Sequence, residues 1–431
     1  MKLAIFGKMA LPTILMFAAC VAHAQQPSLQ YFRPNDKSGL NVFETSKETE
    51  ETAAEFEGVK VRIGGAFALQ YQGLDHENDA NSLVELDKNF NLASANFDID
   101  VQLYDGVRMH LRTFLSSRHH SEAWVKGGYL QIDKLDFIKE GFLESLMEKV
   151  TIRIGHMENN YGDAHFRRTD NGHAMFNPFV GNYIMDSFTT EVGGEVYYQY
   201  NGIIAMGGFT NGRVNQSTTN TDTKASLLGK IGYDKQLNDD LRVRLTGSFF
   251  ATRNNNRVTL YGGDRAGGRY YHVMQLPGDT APGGTVNDFS GRLNPGLNTD
   301  MTSIMVNPFV KFKGFEFFGI FERVSGRDDA TDGAFEGDRT WTQLAAEALY
   351  RFGPEEKLYV GARYNTASGQ LQGVESDKST IDRINVGAGW FMTKNILTKV
   401  EYVSQTYSDF LEERYAGGSF SGIMIEATIG F

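Results

Sequence analysis

The stretch Phe420-Ser421-Gly422-Ile423-Met424-Ile425-Glu426-Ala427-Thr428-Ile429-Gly430-Phe431 decides the fold. Ile423, Ile425, Ala427, Ile429 and Phe431 share one face of an extended strand, and Met424, Glu426, Thr428 and Gly430 share the other, because successive side chains point to opposite sides. A strand of this length, apolar on one face, mixed on the other and closing on an aromatic, suits a wall between lipid and water. A strand of a soluble sandwich would alternate in the same way, so the rest of the chain has to decide.

The pattern returns upstream. Strand-like runs fall near 58–73, 86–104, 106–116, 124–133, 148–158, 187–200, 202–212 and 224–236. Further runs fall near 239–253, 300–313, 314–326, 338–352, 356–366, 379–393, 395–407 and 418–431. They predict an all-β, transmembrane antiparallel barrel of sixteen strands, with fourteen or eighteen as alternatives. An even number puts both ends of the barrel on one side, the periplasm. Asp105-Gly106, Asn201-Gly202, Asn238-Asp239, Lys313-Gly314, Gly353-Pro354 and Lys394-Asn395 are short turn signals. Longer polar loops at 74–85, 159–186, 213–223, 254–299, 326–337 and 408–417 alternate with them and would face the exterior. Tyr200, Tyr233, Phe312, Phe315, Phe352 and Phe431 sit beside the short turns, where an interfacial girdle belongs. Two features dissent. Pro308 predicts a bulge or break in its strand, and Leu135 to Met147 is too long for a tight turn and reads as a periplasmic helix.

Composition fits this reading although it looks soluble. Charged residues make up 22% of the chain, and no apolar run after the N-terminal region reaches the ~20 residues of a membrane helix. A barrel escapes that test because only alternate residues meet lipid. The formal net charge of −11 argues against nucleic acid as a partner.

Residues 1–24 read as a signal peptide. Lys2 and Lys8 precede an apolar run from Ala10 to Val21, and Ala22-His23-Ala24 offers a small-x-small cleavage site before Gln25. Phe17-Ala18-Ala19-Cys20 is an imperfect lipid-attachment box and gives the competing reading. Cleavage after Ala24 would remove Cys20, the single cysteine, and with it disulfide, thiolate and cysteine-metal chemistry. Residues 25–57, with Glu44, Glu48, Glu50, Glu51, Glu55 and Glu57, read as an acidic periplasmic leader, solvated and partly helical, with a plug as the alternative. The barrel occupies 58–431.

The inward parity carries the chemistry. Val59, Val61, Ile63 and Phe67 of the first run face out, so Lys60 and Arg62 face in; Val107, Met109, Leu111 and Leu115 of the third face out, so Arg108, His110 and Arg112 face in. Arg153, Lys230, Arg242, Arg244, Arg363, Arg383 and Lys399 continue this basic ladder. An Arg or Lys facing lipid at the midplane would cost ~2–4 kcal/mol, so water is the better neighbour. Asp98, Asp100, Glu195, Glu316, Glu347, Glu401 and Glu426 share the parity, so the lining is mixed. It either favours anions or merely solvates the lumen and braces the wall through cross-strand pairs. The third external loop, 159–186, carries His165, Arg167, Arg168 and His173. Folded inward, these would form a constriction opposite Arg108, Arg112 and Arg153; packed outside, they would not. The longer loop 254–299, with Arg257, Arg265, Arg269 and Arg292, is expected to cap the mouth, over a neighbouring subunit in one version.

The final residues resemble the terminal signal by which bacterial outer-membrane proteins are recognised by their barrel-assembly machinery, with Phe431 as its aromatic. The sixteen-strand organisation, the basic ladder and Val150-Thr151-Ile152-Arg153-Ile154-Gly155-His156, followed by a glycine-containing loop, resemble the phosphate-selective porin O and P family over roughly 58–431. That resemblance implies passive diffusion of anions or small polar solutes across the outer membrane of a Gram-negative bacterium, through a homotrimer without cofactors. Outward Gly65, Gly194, Gly207 and Gly229 would allow close subunit approach. A barrel serving as a non-transport subunit or scaffold is the second reading. An outer-membrane hydrolase is the third: His119, His120, His156, His165 and His173 are numerous, but neither metal-ligand spacing nor an activated nucleophile accompanies them. The expectation is a non-enzyme without a metal site.

Overall fold

A computed structural model describes residues 26–48, 55–116, 120–168, 171–213, 224–255, 258–262, 271–280, 290–330, 332, 337–372 and 378–431. The signal-peptide reading of 1–24 lies outside them, as do His119, Arg257, Arg265 and Arg269.

Sixteen antiparallel strands close into one barrel. They are β1 (Lys60–Glu77), β2 (Asn89–Tyr104), β3 (Val107–Ser116), β4 (His120–Ile132), β5 (Val150–Glu158), β6 (Thr190–Tyr200), β7 (Ile203–Thr210) and β8 (Ser226–Asn238). The second half is β9 (Leu241–Thr252), β10 (Asp300–Phe312), β11 (Phe315–Arg327), β12 (Arg339–Phe352), β13 (Leu358–Gln370), β14 (Lys378–Thr393), β15 (Ile396–Ser408) and β16 (Ser419–Gly430). Each predicted run becomes one strand because alternation fixes register wherever one face must meet lipid. On β16, Ile423, Ile425 and Ile429 are exposed on the outside while Met424, Glu426 and Thr428 are buried inside. The six girdle aromatics are 39–49% exposed on the outer face.

The short turns obey local chemistry. Asn201 (φ 49°) and Gly202 (φ 83°) both take the left-handed conformation that a two-residue hairpin needs to match strand twist. At the closing seam β1 pairs with β16, with Ala66 opposite Gly430. Phe431 extends the seam: its N–H donates to Gly65 O at 3.0 Å and its carbonyl accepts from Gly65 N at 3.1 Å.

Two expectations need correction, and one is met in part. Pro308 does not bulge β10, which keeps its register with β9, but the ladder with β11 is interrupted at Asn307 and Pro308 and resumes at Phe309. Proline has no N–H to give β11, and the neighbouring Asn307 side chain donates to Gly319 O instead, at 3.0 Å. Gly319 leaves room for the ring, since a Cβ there would lie 2.8 Å from Pro308. Leu135 to Met147 is mostly turns, with a helix confined to Glu144–Met147. Among the outward glycines, Gly65 and Gly229 are not open notches, because the rings of Phe431 and Phe249 lie over them. Gly207 has open space above it, and Gly194 meets its neighbours at ordinary contact distance.

The largest departure is inside. The barrel is filled by three segments: the leader 26–48, the loop between β5 and β6, and the described parts of the loop between β9 and β10. Their buried side chains Phe43, Tyr161, Val180, Ile184, Leu260, Tyr261 and Val273 form one apolar cluster with inward residues such as Phe250, Phe309 and Phe318. At roughly 1.5–3 kcal/mol for each fully buried large side chain, this cluster makes the filling an integral part of the fold.

Candidate functional site

The leader enters at the short-turn end. Gln30 Oε1 accepts from Gly106 N in the β2–β3 turn at 2.8 Å, and Lys37 N donates to Lys394 O in the β14–β15 turn at 2.7 Å. Asn35 donates to Asp98 on β2 at 2.8 Å, and Asn41 donates to Glu316 on β11 at 2.7 Å. One short segment therefore spans the lumen. The expectation of a solvated tail fails for residues 26–48, which are a plug.

Glu44 is its electrostatic anchor. Its carboxylate meets Arg244 Nη2 at 2.6 Å and Lys230 Nζ at 3.0 Å. Asp163, from the β5–β6 loop, meets the same two cations at 2.8 and 3.0 Å. Burial pushes the Glu44 pKa up, but Arg244 and then Lys230 outweigh it and hold the group well below its ordinary 4.5. Burial and the same two cations act on Asp163, and the cations again win, so its pKa is lowered. Lys47 secures the end of the plug, with Nζ 3.2 Å from Asp133 and donating to Met147 O and Val150 O, each at 2.7 Å.

The β5–β6 loop lies inside, held by residues of the predicted ladder. Arg167 reaches Glu316 and Glu347, each at 2.7 Å, and its guanidinium faces the rings of Phe309 and Phe318. Arg351 and Arg363 bind the far oxygens of the same carboxylates, at 3.0 and 2.7 Å. Lys399 Nζ pairs with Glu426 at 2.5 Å and donates to the carbonyls of Ala174, Asn177 and Phe179. Arg383 donates to Asn182 O at 2.5 Å and also to Gly291 O. Lys230, Arg244, Arg363, Arg383 and Lys399 thus face inward, yet each is at most 2% exposed. The assignment of these five as open pore lining is corrected: they are covered by the loop and leader they hold. Arg242 pairs with Asp234 near the short-turn end at 2.7 Å, Lys60 pairs with Glu57 at 2.9 Å, and Arg62 lies over Phe32 of the leader.

A second anchor joins the two long loops. Tyr161 and Tyr261 both donate to Glu322 on β11, at 3.1 and 2.7 Å, and both contact Ser303. Arg292 reaches back to Tyr261 O and Gly262 O within the β9–β10 loop, and Leu293 N donates to Ile184 O of the β5–β6 loop at 2.8 Å. The described parts of this loop pack into the barrel and also meet the loops after β1 and β15, where Val84 N donates to Gln275 O at 3.0 Å and Arg414 donates to Met274 O at 2.7 Å.

Between the plug and the wall of β2–β6 remains a cavity of ≈ 160 Å³, room for several waters. Arg33, Arg108, Arg112, Lys126, Arg153 and Arg168 line it, against the carboxylates Asp98, Asp100 and Glu158. Arg112 grips Asp98 with two bonds of 2.7 and 2.9 Å, and Arg108 pairs with Asp100 at 2.7 Å. Arg153 donates to Gln131 at 3.0 Å and faces the rings of Tyr129 and Tyr197 at 5.5 and 5.1 Å. Arg33 donates to Gly39 O and Phe166 O and stacks over Phe176 at 4.1 Å. Arg33 and Arg153 have no carboxylate within 4.0 Å among the described residues. Burial outweighs the opposing pull of Glu158 and, with Arg112 and Arg167 nearby, lowers the Arg33 pKa to about 10, which leaves it cationic at neutral pH.

Of the four loop residues read as a constriction, Arg168, His165 and His173 line this cavity, and Arg167 does not. Arg168 is locked to Asp186, His165 pairs with Glu158, and His173 Nε2 lies 2.9 Å from Arg112 Nη2. Arg33 and Lys126 were missed. The leader was read as outside the barrel, and Lys126 belongs to the strand whose polar face the sequence left unassigned. Among the described residues, no group of three or more His, Cys, Asp or Glu is arranged to hold a metal ion.

Known structures share this architecture. The chain superposes on an anion-selective porin from Comamonas acidovorans with a TM-score of 0.52 at 12% identity, covering 86% of this chain and 100% of that one. It superposes on OmpT, an outer membrane protein of Vibrio cholerae, with a TM-score of 0.51 at 10% identity, covering 88% and 99%. The fold is that of outer-membrane barrels. No family model matches the chain, and no curated protein sequence matches it.

Proposed function

We propose that this chain is a porin-like protein of the Gram-negative outer membrane that passes small polar solutes passively and favours anions, phosphate among them. The observation that carries the reading is the cavity beside β2–β6, where six cationic side chains meet three carboxylates, and neither Arg33 nor Arg153 makes a carboxylate contact within 4.0 Å among the described residues, although Glu158 acts on Arg33 and Glu195 and Asp133 act on Arg153 at longer range. Cations converging on a narrow aqueous space raise the local anion concentration. Guanidinium groups add planar donors suited to oxyanions. The fold shared with an anion-selective porin is in keeping with this. Membership of the phosphate-selective porin O and P family, export by a signal peptide cleaved before Gln25, insertion by the barrel-assembly machinery through Phe431, and a homotrimer belong to the same proposal.

The test is a reversal-potential measurement across a planar bilayer under a salt gradient. Arg153→Glu with Arg33→Glu should move the reversal potential toward cation preference. A wild-type channel that conducts without anion preference, or a double variant with an unchanged potential, counts against the cavity as the selective element.

The filled lumen favours a second reading, a non-transport barrel that serves a larger outer-membrane assembly. Purified, heat-modifiable barrels that show no conductance at any voltage would support that reading against the first.

A further inference from the structure

The connection between β4 and β5 breaks the rule of short turns at its end of the barrel, and its composition is unusual. Phe137, Ile138, Phe142, Leu143 and Leu146 are 39–60% exposed, five large apolar side chains within ten residues. Single exposed apolar residues are ordinary, but a contiguous group marks a surface that is covered by something. The segment is not loose. Met147 is buried, Glu148 N donates to Glu144 O at 2.8 Å, and the Met147 carbonyl is held at 2.7 Å by Lys47 from the plug.

Its far end is fixed to the outside of the barrel. Lys149 Nζ lies 4.6 Å from the ring centre of Tyr200, a girdle residue that is half exposed on the outer face. Lys149 O also accepts from Gln199 N at 2.8 Å, so the segment joins the wall directly beside that girdle. The apolar group therefore ends, at Leu146, three residues before the point where the chain joins the wall beside the lipid-facing belt. Asp136, Lys139, Glu140, Glu144 and Glu148 are interspersed with the apolar residues, so polar groups can stay in water while the apolar side chains enter the acyl boundary; the polar set is mostly acidic, which suits a zwitterionic rather than an anionic headgroup layer.

We propose that 135–147 is an interfacial foot, whose apolar side chains insert into the phospholipid leaflet on the short-turn side of the membrane. Through Lys47 it ties that leaflet to the plug inside the lumen.

Nitroxide accessibility tests this in a Cys20→Ser background, which leaves the chain without cysteine. Single Ile138→Cys and Leu146→Cys variants are spin-labelled in phosphatidylcholine proteoliposomes, and collisions with oxygen are compared with those of a water-soluble nickel chelate. Phe352→Cys in the girdle gives the lipid standard, and Leu411→Cys, 74% exposed in the β15–β16 loop, gives the water standard. The foot predicts oxygen collisions above nickel collisions at both positions, as at Phe352. Nickel-dominated collisions, as at Leu411, overturn it. Labels shielded from both reagents also overturn it, because they would show the patch covered by protein. Heat-modifiable migration on gels confirms that each variant is folded, and two positions guard against the failure of one.

Discussion

Replacing Glu44 with Gln isolates the anchor of the plug. The substitution keeps the shape and removes the charge, leaving Lys230 and Arg244 with one carboxylate fewer. Breaking a buried ion pair by removing one partner costs about 3–5 kcal/mol. Asp163 still meets both cations, at 3.0 and 2.8 Å, so the lower end, about 3 kcal/mol, is appropriate. At about 1.4 kcal/mol per factor of ten, the undocked fraction of the leader should rise roughly a hundredfold. Trypsin cleavage after Lys37, which precedes Ser38 in the docked segment, reads that fraction in the folded barrel when docking is fast relative to cleavage. Single-channel recordings should show more frequent openings of higher conductance. Salt between 0.1 and 1 M should have little effect, since the pair is shielded from mobile ions. The pH dependence follows from sign. The Glu44 pKa is depressed on docking, so its contribution is present above the ordinary value of 4.5 and is lost only as pH falls toward the docked value. Docking should therefore be indifferent to pH between 8 and 5. Unchanged cleavage together with unchanged conductance in Glu44→Gln would refute the reasoning.

Arg167→Glu should abolish or sharply reduce folded barrel, because it places a third carboxylate against Glu316 and Glu347; full yield with altered selectivity would show Arg167 to be a pore residue. Asn307→Ala should cost about 1–3 kcal/mol, since it strands Gly319 O and also Asp163 N, which donates to Asn307 at 2.8 Å; a shift in the urea midpoint of unfolding measures it. Deleting Phe431 should lower the yield of inserted barrel without changing the conductance of those that insert, and normal yield would remove its role in assembly. Mass analysis of the mature protein should find Gln25 at its N-terminus, and an acylated Cys20 would favour the lipid-anchor alternative.

The sixteen strands were legible because period two is imposed on every strand that separates lipid from the interior, whatever fills that interior. Pro308 interrupts the ladder with β11 as its sequence implies, but the register survives because the compensation lies partly on another strand, in Gly319. The leader misled for a different reason. Its run of glutamates reads as solvated, and the one that matters, Glu44, is distinguished only by the cations that close around it from β8 and β9. Phe43 beside it, and the apolar Val180, Ile184 and Met185 in the next loop, were the available signals that these segments pack inward. The ladder was read with the right parity, but parity cannot say whether an inward cation meets water, a carboxylate or a loop carbonyl.

The closing seam sets a schedule for assembly. Gln70 donates to Glu426 across it at 2.5 Å, and 356 positions separate the two residues. The entropy of closing so long a loop is modest, about 0.6 kcal/mol for each doubling of length. Time is the greater burden. At 5–20 residues per second, the roughly 350 residues between the synthesis of β1 and that of β16 take on the order of 20–70 s. Until then β1 carries an unpaired edge of the kind that recruits other strands. That edge is closed only when β16 pairs with β1, where Phe431 settles over Gly65 and extends the seam.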